Sequence, residues 1–179
     1  MCSIKNRKIF GVALDASDDP LSLQLKGASI RAQERGIEGL CTNPYEALME
    51  QWPEVEGSIE PVGNVPVPSW LTPLPRPSDR CLITKETMEA FVAEGGVREI
   101  SEQVKHFVLE KVLPGFPLMI GVDHSATGGV ISALSSESGP EQLSVLVLDQ
   151  HFDGLPLALR LEAGMMEKSG NPAGSHRPV

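Results

Sequence analysis

Two short apolar runs, each followed by acidic residues and a histidine, constrain the fold of this chain more than any other feature. The first predicted strand covers 117–122 and leads into Asp123-His124-Ser125; the second covers 143–149 and leads into Asp149-x-His151-x-Asp153. A helical pattern over 127–136 separates them. Strands that alternate with helices are typical of βαβ units in a parallel sheet. This stretch therefore predicts an α/β fold with both clusters at the carboxyl ends of buried strands, where open sheets build their sites.

The chain ahead of these clusters shows the same alternation. It predicts a strand over 8–15, a helix over 27–36 with Ser29 as a candidate N-cap, and a short helix over 43–49. Thr84 is predicted to cap a further helix, which Gly95-Gly96 interrupts. A last helix is predicted over 97–112 and stops before Pro114. The last of these has apolar residues spaced at three and four, the period of a helix with one buried face. After Asp153 the pattern weakens to a possible short helix over 155–166.

Proline dominates residues 52–80, which contain seven prolines. Proline lacks a backbone N–H and has a fixed φ, so most of this segment is excluded from central strands and helix interiors. We therefore predict a long loop, with one short strand at 58–62. The final residues, 167–179, are predicted to be an irregular tail, and the whole of residues 1–179 is predicted to be a single domain.

Composition narrows the class of partner. A formal net charge of −9 argues against nucleic acid or an anionic membrane, because both select basic surfaces. No run approaches the roughly 18–20 apolar residues that span a bilayer, and the apolar run over 9–14 is too short for a secretion signal. The three cysteines (Cys2, Cys41 and Cys81) are odd in number and far apart, which favours reduced thiols in the cytoplasm.

The two clusters carry metal-binding chemistry. Asp149, His151 and Asp153 occupy alternate positions, so on a strand they share one face and on a tight loop they converge, and His124 is a candidate fourth ligand. Carboxylate oxygen and imidazole nitrogen suit divalent ions of the manganese type. The alternative for Asp123-His124 alone is a helix cap beside a solvated imidazole.

These residues resemble the ureohydrolases: arginase, agmatinase, formimidoylglutamase and their relatives. Gly-x-Asp-His-Ser over 121–125 and Asp-x-His-x-Asp over 149–153 are similar to the first two signatures of that family. Residues 10–15, 27–31 and 61–65 resemble earlier family segments, so the resemblance runs in order over about residues 8–155.

The resemblance implies a three-layer αβα, arginase-like fold around a parallel sheet. It implies that His124 binds the first of two manganese ions and His151 the second, that Asp149 bridges them, and that Asp153 binds the first ion close to the substrate. It further implies hydrolysis of a small guanidino or formimino compound to urea or a related product, and assembly as a trimer or hexamer. Other catalytic or substrate-binding residues remain unassigned.

Departures from the family pattern qualify this implication. Val122 and Gln150 replace the usual Gly and Ala beside the ligands, and nothing in the sequence matches the third signature, Ser-x-Asp-x-Asp-x-x-Asp-Pro. Two of the family's six metal ligands are therefore missing. We expect the fold to be incomplete in its carboxyl-terminal half and the isolated chain to be inactive. The alternative is a non-catalytic truncated paralogue, or a subunit that depends on a partner.

A metallophosphoesterase also uses Asp-x-His, but that class begins with the motif and follows it with Gly-Asp and Asn-His signatures. Here Asp149-x-His151 lies near the end of the sequence and those followers are absent. The deacetylases share the wider fold of the arginases, but their motifs are not visible. The ureohydrolase interpretation is therefore preferred.

Overall fold

The computed structural model describes residues 6–37, 43–51 and 59–146. The chain divides into two units, Met1–Leu143 and Ser144–Val179, and every element named below belongs to the first. The strands and α-helices are β1 (Arg7–Val12), α1 (Pro20–Glu34), α2 (Pro44–Gln51), β2 (Ile59–Asn64), α3 (Lys85–Ala93), α4 (Gly96–Phe107), β3 (Phe116–Gly121) and α5 (Thr127–Ser138). Short 3₁₀ turns cover Ser69–Leu71, Pro77–Leu82, His124–Ala126 and Pro140–Gln142, and a π-helical turn, Val108–Val112, extends α4.

The described strands form one parallel sheet in the order β2-β1-β3. β1 lies in the centre, and it pairs with β3 without interruption from Arg7↔Phe116 to Val12↔Gly121. Its pairing with β2 contains a bulge, because Ile9 lies opposite Pro61 whereas Phe10 lies opposite Gly63. Gly63 has φ of 95°, a backbone conformation that glycine adopts without steric cost. The predicted parallel α/β architecture is confirmed.

Helices cover both faces of this sheet. Phe10 packs its ring 5.5 Å from that of Phe107 at the end of α4. Gly11, the next residue along β1, points the opposite way, and a Cβ built there would lie 2.5 Å from Tyr45 Cβ of α2. The main core, on the α4 side, contains Phe10, Val12, Leu14, Val65, Leu71, Met88, Ile100, Val104, Phe107, Val108, Val112, Ala126 and Ala133. The described residues thus form the three predicted layers.

Most predicted elements lie where the sequence placed them. The strands over 8–15, 58–62 and 117–122, the short helix over 43–49 and the helices on either side of Gly95 are confirmed, with bounds shifted by a few residues. Thr84 caps α3 by accepting a hydrogen bond from the Thr87 N–H at 3.2 Å. The proline-rich segment is less irregular than predicted, since 3₁₀ turns interrupt its described part.

The predicted start of α1 is wrong. The helix begins at Pro20 rather than near Gly27, and Asp19 is its N-cap, accepting from the N–H groups of Leu21 and Ser22 at 2.9 and 3.0 Å. Proline at the first helical position costs no hydrogen bond. The dipeptide Asp19-Pro20 is therefore compatible with the start of a helix as well as with a turn. Ser29 lies inside the helix, where its hydroxyl donates to the Lys26 carbonyl at 2.7 Å.

The predicted strand over 143–149 is not formed in its described part. Residues 143–146 have no regular secondary structure, and the Val145 and Leu146 side chains are 54 % and 82 % exposed. An apolar strand is stable where its side chains are buried, and those of Val145 and Leu146 are not. Residues 147–149 lie outside the described part, as do the predicted helix over 155–166 and the tail over 167–179. The single-domain assignment stays a prediction.

No helix in the described ranges is both long enough and apolar enough to cross a membrane.

Candidate functional site

The carboxyl ends of the three strands bring polar residues to one edge of the sheet. Asn64 ends β2, Asp15 follows β1, and Asp123 and His124 follow β3. Because the strands are parallel and β1 is paired with both neighbours, these positions are adjacent along that edge. The edge is where the sequence predicted the site.

His124 opens the 3₁₀ turn His124–Ala126, which leads directly into α5. Its side chain is exposed, whereas Ala126, two residues later, is buried in the core. The turn therefore has a buried anchor and presents its histidine at the surface of the carboxyl edge. This is the predicted location of His124, while its predicted role as a metal ligand remains a prediction.

Asp123 ties this turn to the segment that follows β1. One carboxylate oxygen accepts from the Ser125 N–H at 2.8 Å, and the other accepts from the Ala16 N–H at 3.1 Å. The first bond is the capping interaction that the sequence offered as an alternative for Asp123. The second joins residues 107 positions apart, and it connects the carboxyl ends of β1 and β3.

Lys26 of α1 is a buried charged residue beneath the same edge. Its side chain is 1 % exposed, and its ammonium group donates to the Asp15 carbonyl and lies 3.5 Å from the Asp15 Oδ2 atom. Burial lowers the pKa of Lys26, while the negative charges of Asp15 and Asp123 act in the opposite direction. We call Lys26, Asp15 and Asp123 the Lys26 cluster.

The Lys26 cluster is not apparent from the sequence alone. The sequence contains one indication of it: Lys26 lies four residues before Ile30, a spacing that places both on one face of a helix. In the structure this face is buried, and both side chains are 1 % exposed. A lysine on the buried face of a helix needs an acidic partner, since an unpaired buried charge is costly. Its partners depend on tertiary contacts that spacing alone does not reveal.

A separate polar network fixes α2 at the end of β2. The Asn64 side chain donates to Glu46 Oε1 at 3.2 Å and accepts from Asn43 Nδ2 at 3.0 Å. The Tyr45 hydroxyl accepts from the Gly63 N–H at 3.2 Å. These bonds hold α2 against the carboxyl edge, next to Gly11 of the central strand.

Of the four predicted ligands, His124 lies within the described part, and Asp149, His151 and Asp153 lie outside it. Within the described residues, no three metal-binding side chains form a group that could hold an ion. This absence concerns only one of the four predicted ligands. It therefore does not test the predicted set. The donor set itself, two imidazoles and two carboxylates, fits divalent ions of the manganese type.

Comparison with known proteins gives one match. The family model for the arginase family matches residues 6–169, which include β1–β3 and both acid-histidine clusters. No curated protein and no solved structure matches the chain.

Proposed function

Because this chain belongs to the arginase family, we propose that it is a binuclear metal hydrolase that cleaves a guanidino or formimino C–N bond. The observation that supports this most directly is the position of His124 on a turn at the carboxyl end of β3, in a parallel sheet of the kind this family uses. The matched residues also include Asp149, His151 and Asp153. The products would be urea, or a related amide, and an amine.

In this proposal His124, Asp149, His151 and Asp153 hold two divalent ions, most simply manganese. Ions of this kind, when bound, lower the pKa of a coordinated water so that a nucleophile is available at neutral pH. The donor types support manganese over a soft metal, because the proposed set contains no thiolate.

The protein's own groups have separable tasks. The imidazoles of His124 and His151 would each contribute one ring nitrogen to the ions, and Asp149 would contribute a carboxylate to both. Asp153 would contribute a further carboxylate, whose negative charge would attract and orient a cationic guanidinium. A guanidinium N–H that donates to a carboxylate oxygen favours one orientation of the scissile bond.

We further propose an arginase-like or agmatinase-like cytoplasmic enzyme that assembles as a trimer or hexamer. The widely spaced cysteines support a reducing compartment, and membership of the family supports the assembly.

The test is release of urea or of a related product by the purified full chain. Arginine, agmatine, guanidinobutyrate and formiminoglutamate are supplied separately, first after chelation of metal and then after addition of manganese. The hydrolase proposal predicts turnover of at least one compound that is lost on chelation and regained with manganese. That result would overturn the expectation, drawn from the missing third signature, that the isolated chain is inactive. Asp149→Ala, purified in parallel, controls for a contaminating hydrolase and should release no product.

Two outcomes would contradict this proposal. Equal product release by Asp149→Ala would show that the activity does not belong to this chain. Tight manganese binding without turnover of any of the four compounds would favour the alternative, a non-catalytic member of the family.

A further inference from the structure

We propose that Lys26 and Asp123 are positioning residues, which together fix the His124 turn against the carboxyl end of β1. The proposal rests on the proposed function in one respect, the role of His124 as a metal ligand. The hydrogen bonds that carry it lie wholly within the described residues.

A continuous chain of contacts links α1 to the His124 turn. Lys26 donates to the carbonyl of Asp15, and the next residue, Ala16, donates its N–H to the Asp123 carboxylate at 3.1 Å. The same carboxylate then accepts from the Ser125 N–H at 2.8 Å, inside the turn itself. Lys26 of α1 thus holds the segment after β1, and that segment, through Asp123, holds the His124 turn.

The charges of the Lys26 cluster reinforce this chain. Asp15 and Asp123 are partly buried carboxylates on neighbouring strand ends, and the buried ammonium of Lys26 interacts favourably with both. Without that ammonium the two carboxylates repel each other in a medium that screens them less than water does. The segment after β1 and the turn after β3 would then move apart, which breaks the bond between Ala16 and Asp123.

The position of the His124 ring depends on this backbone. The backbone conformation of residues 123–126 sets the direction in which the His124 side chain leaves the turn. Groups that orient a metal ligand through its surroundings typically change metal affinity by about ten- to a hundredfold when they are removed. Asp123 acts on His124 through its bond to the Ser125 N–H, and Lys26 acts one step further away, through Asp15 and Ala16.

The first experiment measures amide hydrogen exchange at Ala16 and Ser125 by NMR. Asp123→Asn replaces a two-oxygen acceptor by one oxygen and an NH₂ group, so one of the two backbone bonds is lost. We expect exchange at one or both amides to accelerate by at least about tenfold. The matched control is Asp79→Asn, because Asp79 also accepts a backbone N–H, that of Arg76 at 3.1 Å, on a different part of the chain. Its carboxylate accepts in addition from Ser69 Oγ at 2.6 Å and Ser78 Oγ at 3.4 Å.

The second experiment measures manganese affinity by calorimetric titration. Lys26→Met keeps the apolar stem and removes the ammonium, and it should weaken manganese binding by roughly tenfold and accelerate exchange at Ala16. Lys85→Met is the control, since Lys85 is half-exposed and pairs with Glu89 at 3.6 Å on the surface of α3. It should leave both quantities unchanged.

The outcomes separate this proposal from the proposed function. If exchange at Ala16 and Ser125 is unchanged in Asp123→Asn, the proposal is overturned, and this result stands even if Lys26→Met does not fold. If exchange accelerates but manganese affinity is unchanged, the positioning role is overturned. If the wild-type chain binds no manganese, the proposed function fails, and the exchange rates alone then decide whether the cluster fixes the turn.

Discussion

Replacing His124 with asparagine is expected to weaken manganese binding by at least about a hundredfold, which is roughly 2.7 kcal/mol. The physical reason is direct loss of an imidazole ligand, a larger effect than loss of a group that only orients a ligand. The free energy of unfolding should change by less than about 0.5 kcal/mol, because the His124 side chain is exposed and Asp123 and Ala126 retain their contacts. Calorimetric titration and urea denaturation measure the two quantities.

His106→Asn is the matched control. His106 is also an exposed histidine, and its Nδ1 atom lies 2.7 Å from the Glu102 carbonyl oxygen on α4. This variant should bind manganese as the wild type does. Equal affinities for wild type and His124→Asn would remove His124 from the proposed metal site.

Replacing Gly129 with alanine is expected to destabilise the protein by about 2–3 kcal/mol. A Cβ at Gly129 would lie 2.3 Å from the Ser101 carbonyl oxygen and 2.7 Å from Val104 Cβ. The first is backbone and the second belongs to a buried core residue, so neither yields easily, and α4 and α5 must separate. The gain of up to about 1 kcal/mol from replacing glycine inside a helix does not offset that cost. Urea denaturation gives the change in the free energy of unfolding.

The neighbouring Gly128→Ala variant tests whether close packing is the cause. A Cβ at Gly128 comes nearest to Ser101 Oγ, at 3.2 Å. The serine side chain relieves this contact by moving a few tenths of an ångström. This variant should be as stable as the wild type or up to about 1 kcal/mol more stable. If both alanine variants had the stability of the wild type, the close contact between α4 and α5 would be wrong.

Long periodic patterns allowed the central part of the fold to be predicted. The helix predicted over 97–112 carries Ile100, Val104, Val108 and Val112 on one face, and all four are buried in the structure. Its period, and the glycine and proline at its two ends, are local properties of the sequence. The parallel arrangement then followed from the alternation of such helices with apolar strands.

Features that depend on distant contacts could not be predicted. Asp19-Pro20 fits both a turn and a helix start, and the buried face of α1, which includes Lys26 and Ile30, decides between them. The strand predicted over 143–149 has the composition of a buried strand, but Val145 and Leu146 are exposed, because composition does not provide a pairing partner.

The candidate site likewise contains residues that the sequence reveals and residues that only tertiary contacts reveal. Residue type and spacing identified the two clusters, and the structure places His124 at the predicted strand end. Lys26 and Asp15 were not identified, because their significance arises from a contact between α1 and the segment after β1. Spacing can reveal ligands that lie close together in the sequence, but not the groups that position them.

The most direct test of the proposed metal site is a double-mutant cycle on manganese affinity. The four proteins are wild type, His124→Asn, His151→Asn and the double variant. If both histidines serve one binuclear site, the double variant should bind about as weakly as the weaker single variant, with a coupling energy of roughly 1–3 kcal/mol. Losses that add in full, or no loss in either single variant, would contradict a site shared by the two clusters.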